Sequence, residues 1–587
     1  MDDARNNASR TRKRKNISNY FVNTSDSDSC AKRKKTEVIE YAMSKEEMQE
    51  LVVEAVTVNG LPLSVFENTA ISKFVAPIAS KLGVSLSQRT VRSLTLEAAE
   101  KKRLELESEF AKRLVCVKLD LCTRRGRHFL GVNVQSAING KLKVVTASVK
   151  EMTERATAEE IKSTLLACLD KIGIRERQIY SLTTDNGSNV IKVGKLMQND
   201  AHVKEGNSEE MLSDQEEISD EKVWEAAENT LDEAVNGVKL AANTNSIASV
   251  RCALHTLQLC VHDVLKTDSV KPLLCKVRKI VNKTHTQNMR LIFKNNSVSL
   301  PKLDCETRWG STYDMLDSVA EKKSFLNQIG LANESLLLLD EDWEKISDVT
   351  EALKPLREAT CALQLKNLTA GEFLAQWIKC KVILERSTAV TAPLFLQAME
   401  KRESSVLSNP AFLSAVYLDK RYNVLLTEKQ NELSQIHLLG LWKKIQMISS
   451  TLSVADSLSA KENSFANGGS DGEADSDSDS VDIVEHLLRA NDEKKAANTA
   501  NKETEVAEHL KMFAKGSRIS KSECIFQWWH YQQESIIKKL AEVAIALPVT
   551  QASVERTFSG LRYILNDLRL GLKEDIVDAI MLLRCNT

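Results

Sequence analysis

No apolar run in these 587 residues approaches the roughly 18 needed to cross a bilayer. The first residues are also too polar for a secretory signal. The twelve cysteines include no Cys-x-x-Cys pair and show no framework spacing. Reduced thiols in a cytosolic or nuclear setting are therefore expected, rather than disulfides. The chain also lacks net charge, −1 overall, but that balance hides an asymmetry: residues 1–36 hold ten Lys or Arg against four Asp. Two compact basic clusters account for most of it, Arg10, Arg12, Lys13, Arg14 and Lys15, then Lys32, Arg33, Lys34 and Lys35. Such runs suit nuclear import or weak phosphate attraction, the plain alternative being a solvated tail.

What is present is an ordinary globular composition, 42% hydrophobic and 27% charged, in a chain long enough for several domains. Two acidic stretches, about 199–221 and about 461–480, are too poor in apolar residues to offset the entropy of ordering. They read as disordered insertions in a folded body. Residues 1–44 read as a disordered basic tail and 45–113 as a helical lead-in, with a break at Pro77 and stops at Gly60 and Gly83.

After residue 113 the period changes. Val115, Val117 and Leu119 alternate with Cys116, Lys118 and Asp120, which predicts a strand with one apolar face and the acid on the other. Two further strand-like runs meet at Asn139-Gly140, a hairpin signal. Thr157 and Glu160 then open a helix, IYSLTTD is a fourth strand ending in Asp185, and SIASVRC is a short fifth. Three strands, a helix and a fourth strand, with acids ending strands one and four, is the order of a ribonuclease H-like fold. The expected class is α/β: this core over 114–262, a large all-α insertion over 263–522, and completion of the core over 523–587. In that last part Pro548 suits a helix start, and Val554, Phe558, Leu561, Leu565 and Leu568 form an apolar stripe continued by Ile576, Ile580 and Leu583.

Glu555 lies on that late helix. Converging carboxylates are the hard oxygen ligands that Mg²⁺ or Mn²⁺ prefers, and two such ions can drive an in-line displacement at phosphorus. Asp120, Asp185 and Glu555 are the candidate set, Asp120 bridging and the other two holding one ion each. Each also has a plain reading: Asp120 and Asp185 as turn or capping residues, Glu555 as a solvent-facing helical acid. Cys252, His255, Cys260 and His262 suggest zinc, but four ligands along one helix cannot face one point, so packing of Cys252 and His255 near the site is expected.

Seven segments in order, among them LDLCTRRGRHFLGV, TTDNGSN, VRCALHTLQLCVHD, ETRWGSTYDML, AVYLDKRYN and LPVTQASVERTFSGLRYIL, resemble the hAT superfamily of DNA transposases and host proteins derived from them. That resemblance implies that Asp120, Asp185 and Glu555 are the catalytic, metal-holding triad. It implies that Arg308, Trp309 and Arg556 meet DNA, and that Cys252 and His255 are structural residues beside the site. It further implies a C-terminal dimerisation region, with Phe558, Leu561, Leu565, Ile576, Ile580 and Leu583 divided between core and partner. Cys122 stands where relatives carry tryptophan. Cys30 is the only cysteine before residue 116, so the BED-type zinc finger of many relatives cannot be built there. The expectation is a nuclear, homodimeric or higher-order, DNA-binding transposase with no membrane association. The alternatives are a domesticated, catalytically inactive chromatin-binding module, or a general ribonuclease H-like nuclease.

Overall fold

The computed structural model describes residues 42–153, 155–185, 187–199, 247–305, 309–462, 502–566, 569 and 571–587. The two basic clusters, residues 200–221 and 463–480 of the acidic stretches, Arg308 and Leu568 lie outside the described residues. Two compact units divide the chain, Met1–Ala98 and Ala99–Thr587.

In the first unit, Ser44 opens the helix Lys45–Thr57 with a reciprocal capping box to Glu47. Met48, Val52 and Val56 form its buried stripe, and Gly60 takes φ +66° just beyond its end. Pro77, expected to break the next helix, instead sits inside Thr69–Lys81. The helix Gln88–Phe110 runs past the division at residue 98, so the unit ends earlier than the lead-in read from the sequence. The reason is packing: Ala99, Leu106 and Phe110 are buried, and the Phe110 carbonyl accepts from Gln178 Nε2 in the second unit.

The second unit is built on five strands: β1 (Val115–Arg124), β2 (Arg127–Ile138), β3 (Lys141–Met152), β4 (Ile179–Thr184) and β5 (Ala248–Arg251). Their spatial order is β3-β2-β1-β4-β5. The first three are antiparallel, whereas β4 runs parallel to β1 and β5 parallel to β4. Asn139 and Gly140 take φ +50° and +69°, the two left-handed residues of a tight hairpin. Arg125-Gly126 makes a second such turn, at +53° and +75°, which sequence reading passed over. β1 is longer than expected, continuing four residues past Asp120. Its second face is not open either, since Cys116 and Lys118 are as buried as Val117 and Leu119. The cover is the segment leading into the helix Ala552–Ile564, which packs on β1, β2 and β3.

Between β5 and that last part lies a helical body with a continuous apolar core that includes Leu353, Phe373, Phe395, Phe412 and Tyr417. Its polar tie is a buried ion pair, Arg421 Nη2 to Asp419 Oδ2 at 2.7 Å, with Arg421 Nη1 also 2.8 Å from Glu372. The long helix Glu428–Glu462 is fastened to β4 by the Tyr180 hydroxyl with His437 Nε2 at 3.1 Å and by Lys444 Nζ donating to the Ile179 carbonyl at 2.7 Å. No helix among the described residues is long and apolar enough to cross a membrane.

The late helix begins at Ala552, four residues after Pro548. Helix is prevented earlier because Thr183 Oγ1 donates to the Pro548 carbonyl at 2.7 Å and Ala253 N to the Val549 carbonyl at 2.8 Å. The final helix, Glu574–Cys585, docks through Asp578, which accepts from Ser148 Oγ at 2.7 Å and Val149 N at 2.9 Å. In consequence Leu561, Leu565, Ile576 and Ile580 belong to this chain's own core, at 0–1% exposure. Of the six residues expected to be divided between core and partner, Phe558 and Leu583 alone are half-buried.

Candidate active site

The register of the sheet brings two of the acids together. Lys118 of β1 is level with Thr183 of β4; two residues further on, the same parallel register sets Asp120 level with Asp185. β4 has ended by then, at Thr184. Asp185 turns the chain, its Oδ1 accepting from Gly187 N at 3.1 Å, while Asp120 Oδ1 accepts from Leu121 N at 2.9 Å.

The third acid comes across β2. Asp120 pairs with Gly131, and Gly131 is where the late helix touches the sheet: a Cβ there would stand 2.8 Å from both Phe558 and Val554. Only a residue without a side chain permits that approach. Asn133 Nδ2 to Ser553 Oγ, 3.1 Å, and Thr146 with Thr557, 3.2 Å between hydroxyls, fix the helix's rotation. Glu555 therefore sits in the helix's first turn, where the macrodipole favours a carboxylate.

A fourth group closes the arrangement. Cys252 N donates to the Thr184 carbonyl at 2.9 Å, which places the start of the helix Ala253–Leu265 beside Asp185. From its first turn, His255 reaches within 4.0 Å of Glu555 Oε1 through Nε2. His255 Nδ1 is buried without a hydrogen bond. Cys252 and Cys260 both lie in the apolar core.

Electrostatics follow from this crowding. Burial first, then the charge of Asp185, with Glu555 adding less, pushes Asp120 up to about 7 against the pull of His255 and the Leu121 N–H. Burial opposes charge on His255, yet the Cys252 sulfur, Glu555 and Asp120 together outweigh it and raise the imidazole to about 9. Lys118, buried two residues before Asp120, is lowered to about 7 by burial and by Arg556, while its Nζ donates to Gln135 Oε1 at 2.7 Å.

The acids face a cleft of about 1080 Å³. Its walls also carry Arg124, Arg357, Arg556 and Arg562, with Gln258, His255 and Trp309. Arg556 Nη1 donates to the Gln364 carbonyl at 3.0 Å. Trp309 is 3% exposed and belongs mainly to the apolar core, with an edge on the cleft. Sequence reading did not single out Arg124, Arg357 or Arg562; Arg357 comes from a helix with no motif, paired at 3.2 Å with Asp314. Among the described residues no group of three or more His, Cys, Asp or Glu forms a ready-made metal cluster.

Asp120 thus lies within β1, Asp185 directly follows β4 and Glu555 rides the late helix; two family models match parts of the chain. A family model for the hAT family C-terminal dimerisation region matches residues 507–587, which include Glu555. A model for the ZBED1 RNase-like helical domain matches residues 250–352, which include His255 and Trp309, so the pair supports a ZBED-like protein of hAT type. Asp120 and Asp185 lie outside both matched segments. No curated protein sequence matches the chain. The dimerisation match supports self-association.

Proposed function

We propose that this chain cleaves and joins DNA strands in a metal-dependent reaction, with Asp120, Asp185 and Glu555 as its carboxylate triad on a ribonuclease H-like core. The observation that supports this reading is that strand register sets Asp120 level with Asp185 and that both line one cleft with Glu555. Three oxygen-bearing acids, two of which press on a buried Asp120 with their charge, are a donor set suited to a hard divalent cation. Bound there, Mg²⁺ or Mn²⁺ would supply activation of the attacking hydroxyl and neutralise the leaving oxygen. The chain's own part is to hold the scissile phosphate in the cleft, where the exposed Arg556 and Arg562 offer cations to its flanks. Self-association through the C-terminal region would bring two such sites to one DNA substrate, and the basic clusters at 10–15 and 32–35 would direct the protein to the nucleus.

A second reading, a dimerising DNA- or chromatin-binding protein without catalysis, is favoured by one observation. His255 Nε2 stands 4.0 Å from Glu555 Oε1 and, when protonated, would compete with a cation for that carboxylate. Incubating the purified full-length protein with Mn²⁺ and candidate end DNA, beside Asp120→Asn, separates the two. Cleavage by the parent and none by the variant, with equal DNA binding, is expected. DNA binding with no cleavage by either selects the second reading.

A further inference from the structure

The helix that carries Glu555 begins with a residue that breaks the usual rule for such a position. Ser, Thr, Asp and Asn are preferred at a helix N-cap because their short side chains accept from the first free N–H groups. Gln551 holds that position and makes no such bond. Its side chain is fully buried and reaches across to β1 instead, where Nε2 donates to the carbonyl of Leu119, the residue preceding Asp120. Its main-chain N–H points at the Cys252 sulfur, 3.4 Å away. Its own carbonyl accepts from Val554 N at 2.8 Å and Glu555 N at 3.2 Å. One residue thus touches the strand of Asp120, the cap of the His255 helix and the backbone of Glu555. Its Oε1 is buried without a partner, a cost left standing for the sake of the bonds that Nε2 and the main chain make.

We propose that Gln551 is a positioning residue that sets the separation of Glu555 from Asp120, and so the cation affinity of the site; the inference rests on the triad reading above. An amide spanning two walls acts as a rigid spacer of fixed length, whereas apolar packing tolerates sliding. Local sequence rules broken without local gain are expected where a site demands it.

The test is cation binding, read without activity. The purified full-length chain is titrated with Mn²⁺ and the free ion followed by its electron paramagnetic resonance signal. Asp120→Asn and Glu555→Gln should abolish specific binding. Gln551→Met, similar in volume but with no amide, should raise half-saturation about tenfold or more, the range for losing a group that orients metal ligands. Asp578→Asn serves as the control for loosened packing, and should lower the melting temperature with half-saturation unchanged. If Asp120→Asn weakens binding and a folded Gln551→Met does not, the positioning role is overturned and the triad stands. If Asp120→Asn leaves binding unchanged, the triad falls and this inference with it. An equal shift from Asp578→Asn also overturns the role. Should Gln551→Met not fold, Gln551→Asn, which keeps an amide too short to span, is read the same way; failure of both assigns Gln551 to stability alone and overturns the inference.

Discussion

Arg421 and Asp419 show how much one pair can hold. Both are at most 4% exposed, and burial of the guanidinium is outweighed by hydrogen bonds and charge from Asp419 and Glu372, which hold its proton more firmly than usual. Removing one partner strands the other charge out of water, which costs about 3–5 kcal/mol. Arg421→Met is expected to lose stability on that scale by chemical denaturation; a loss within about 0.5 kcal/mol, the level of a surface change, would contradict it. Arg562, exposed on the cleft wall, belongs to the other kind of residue. If it contacts a phosphate, Arg562→Gln should reduce the slope of log affinity against log salt on duplex DNA by about 0.9, with sequence preference unchanged. At this scale Asp185 was announced by a strand end and turn formers, whereas Asp120 lies four residues inside its strand rather than at the expected end. Gln551 and Arg357 were not legible, since what matters about them is a partner hundreds or tens of residues away.

Strands and turns were the most readable elements, because a period of two and an Asn-Gly pair are local signals. The start of the late helix was misread by four residues: Pro548 satisfies a helix's first position in isolation, but its carbonyl is taken by Thr183 of β4. Pro77 was misread in the opposite direction, as a break where the helix carries on. The packing of this late helix on Gly131 gives the sharpest element-level expectation. Gly131→Ala forces a methyl against Val554 and Phe558 at 2.8 Å, so the helix must move. Overpacking of this sort costs about 1–3 kcal/mol. Any cleavage should fall by more than that stability loss alone explains, measured well below the melting transition; unchanged cleavage would show that Glu555 tolerates displacement.

For the molecule as a whole, His437 gives a pH dependence of defined sign. Full burial, with help from the charge of Lys444, holds its imidazole down at about 4, against an ordinary value near 6.5 in an unfolded chain. The unfolded chain therefore takes up a proton that the folded one refuses. This contribution to stability is complete above pH 6.5 and is lost as pH falls toward 4, on the order of 3 kcal/mol at most. Denaturation followed from pH 7 to 4 should be steeper in the parent than in His437→Gln; parallel curves would rule this out. Self-association is a whole-molecule property too, supported by the match to the dimerisation region. The stripe Leu561, Leu565, Ile576 and Ile580 has the spacing of an interface, but spacing cannot tell a partner's surface from the chain's own sheet. Ile580→Asp is expected to unfold the protein rather than yield a folded monomer, as judged by circular dichroism with light scattering.

The three proposed ligands are synthesised far apart in time. A ribosome completes the sheet that bears Asp120 and leads into Asp185 hundreds of residues before it reaches Glu555. Nascent chains, and any product halted before the Ala552–Ile564 helix, hold two acids and no third. On the proposed chemistry such fragments are harmless to the genome, and the capacity to cut arrives only with the last stretch of translation.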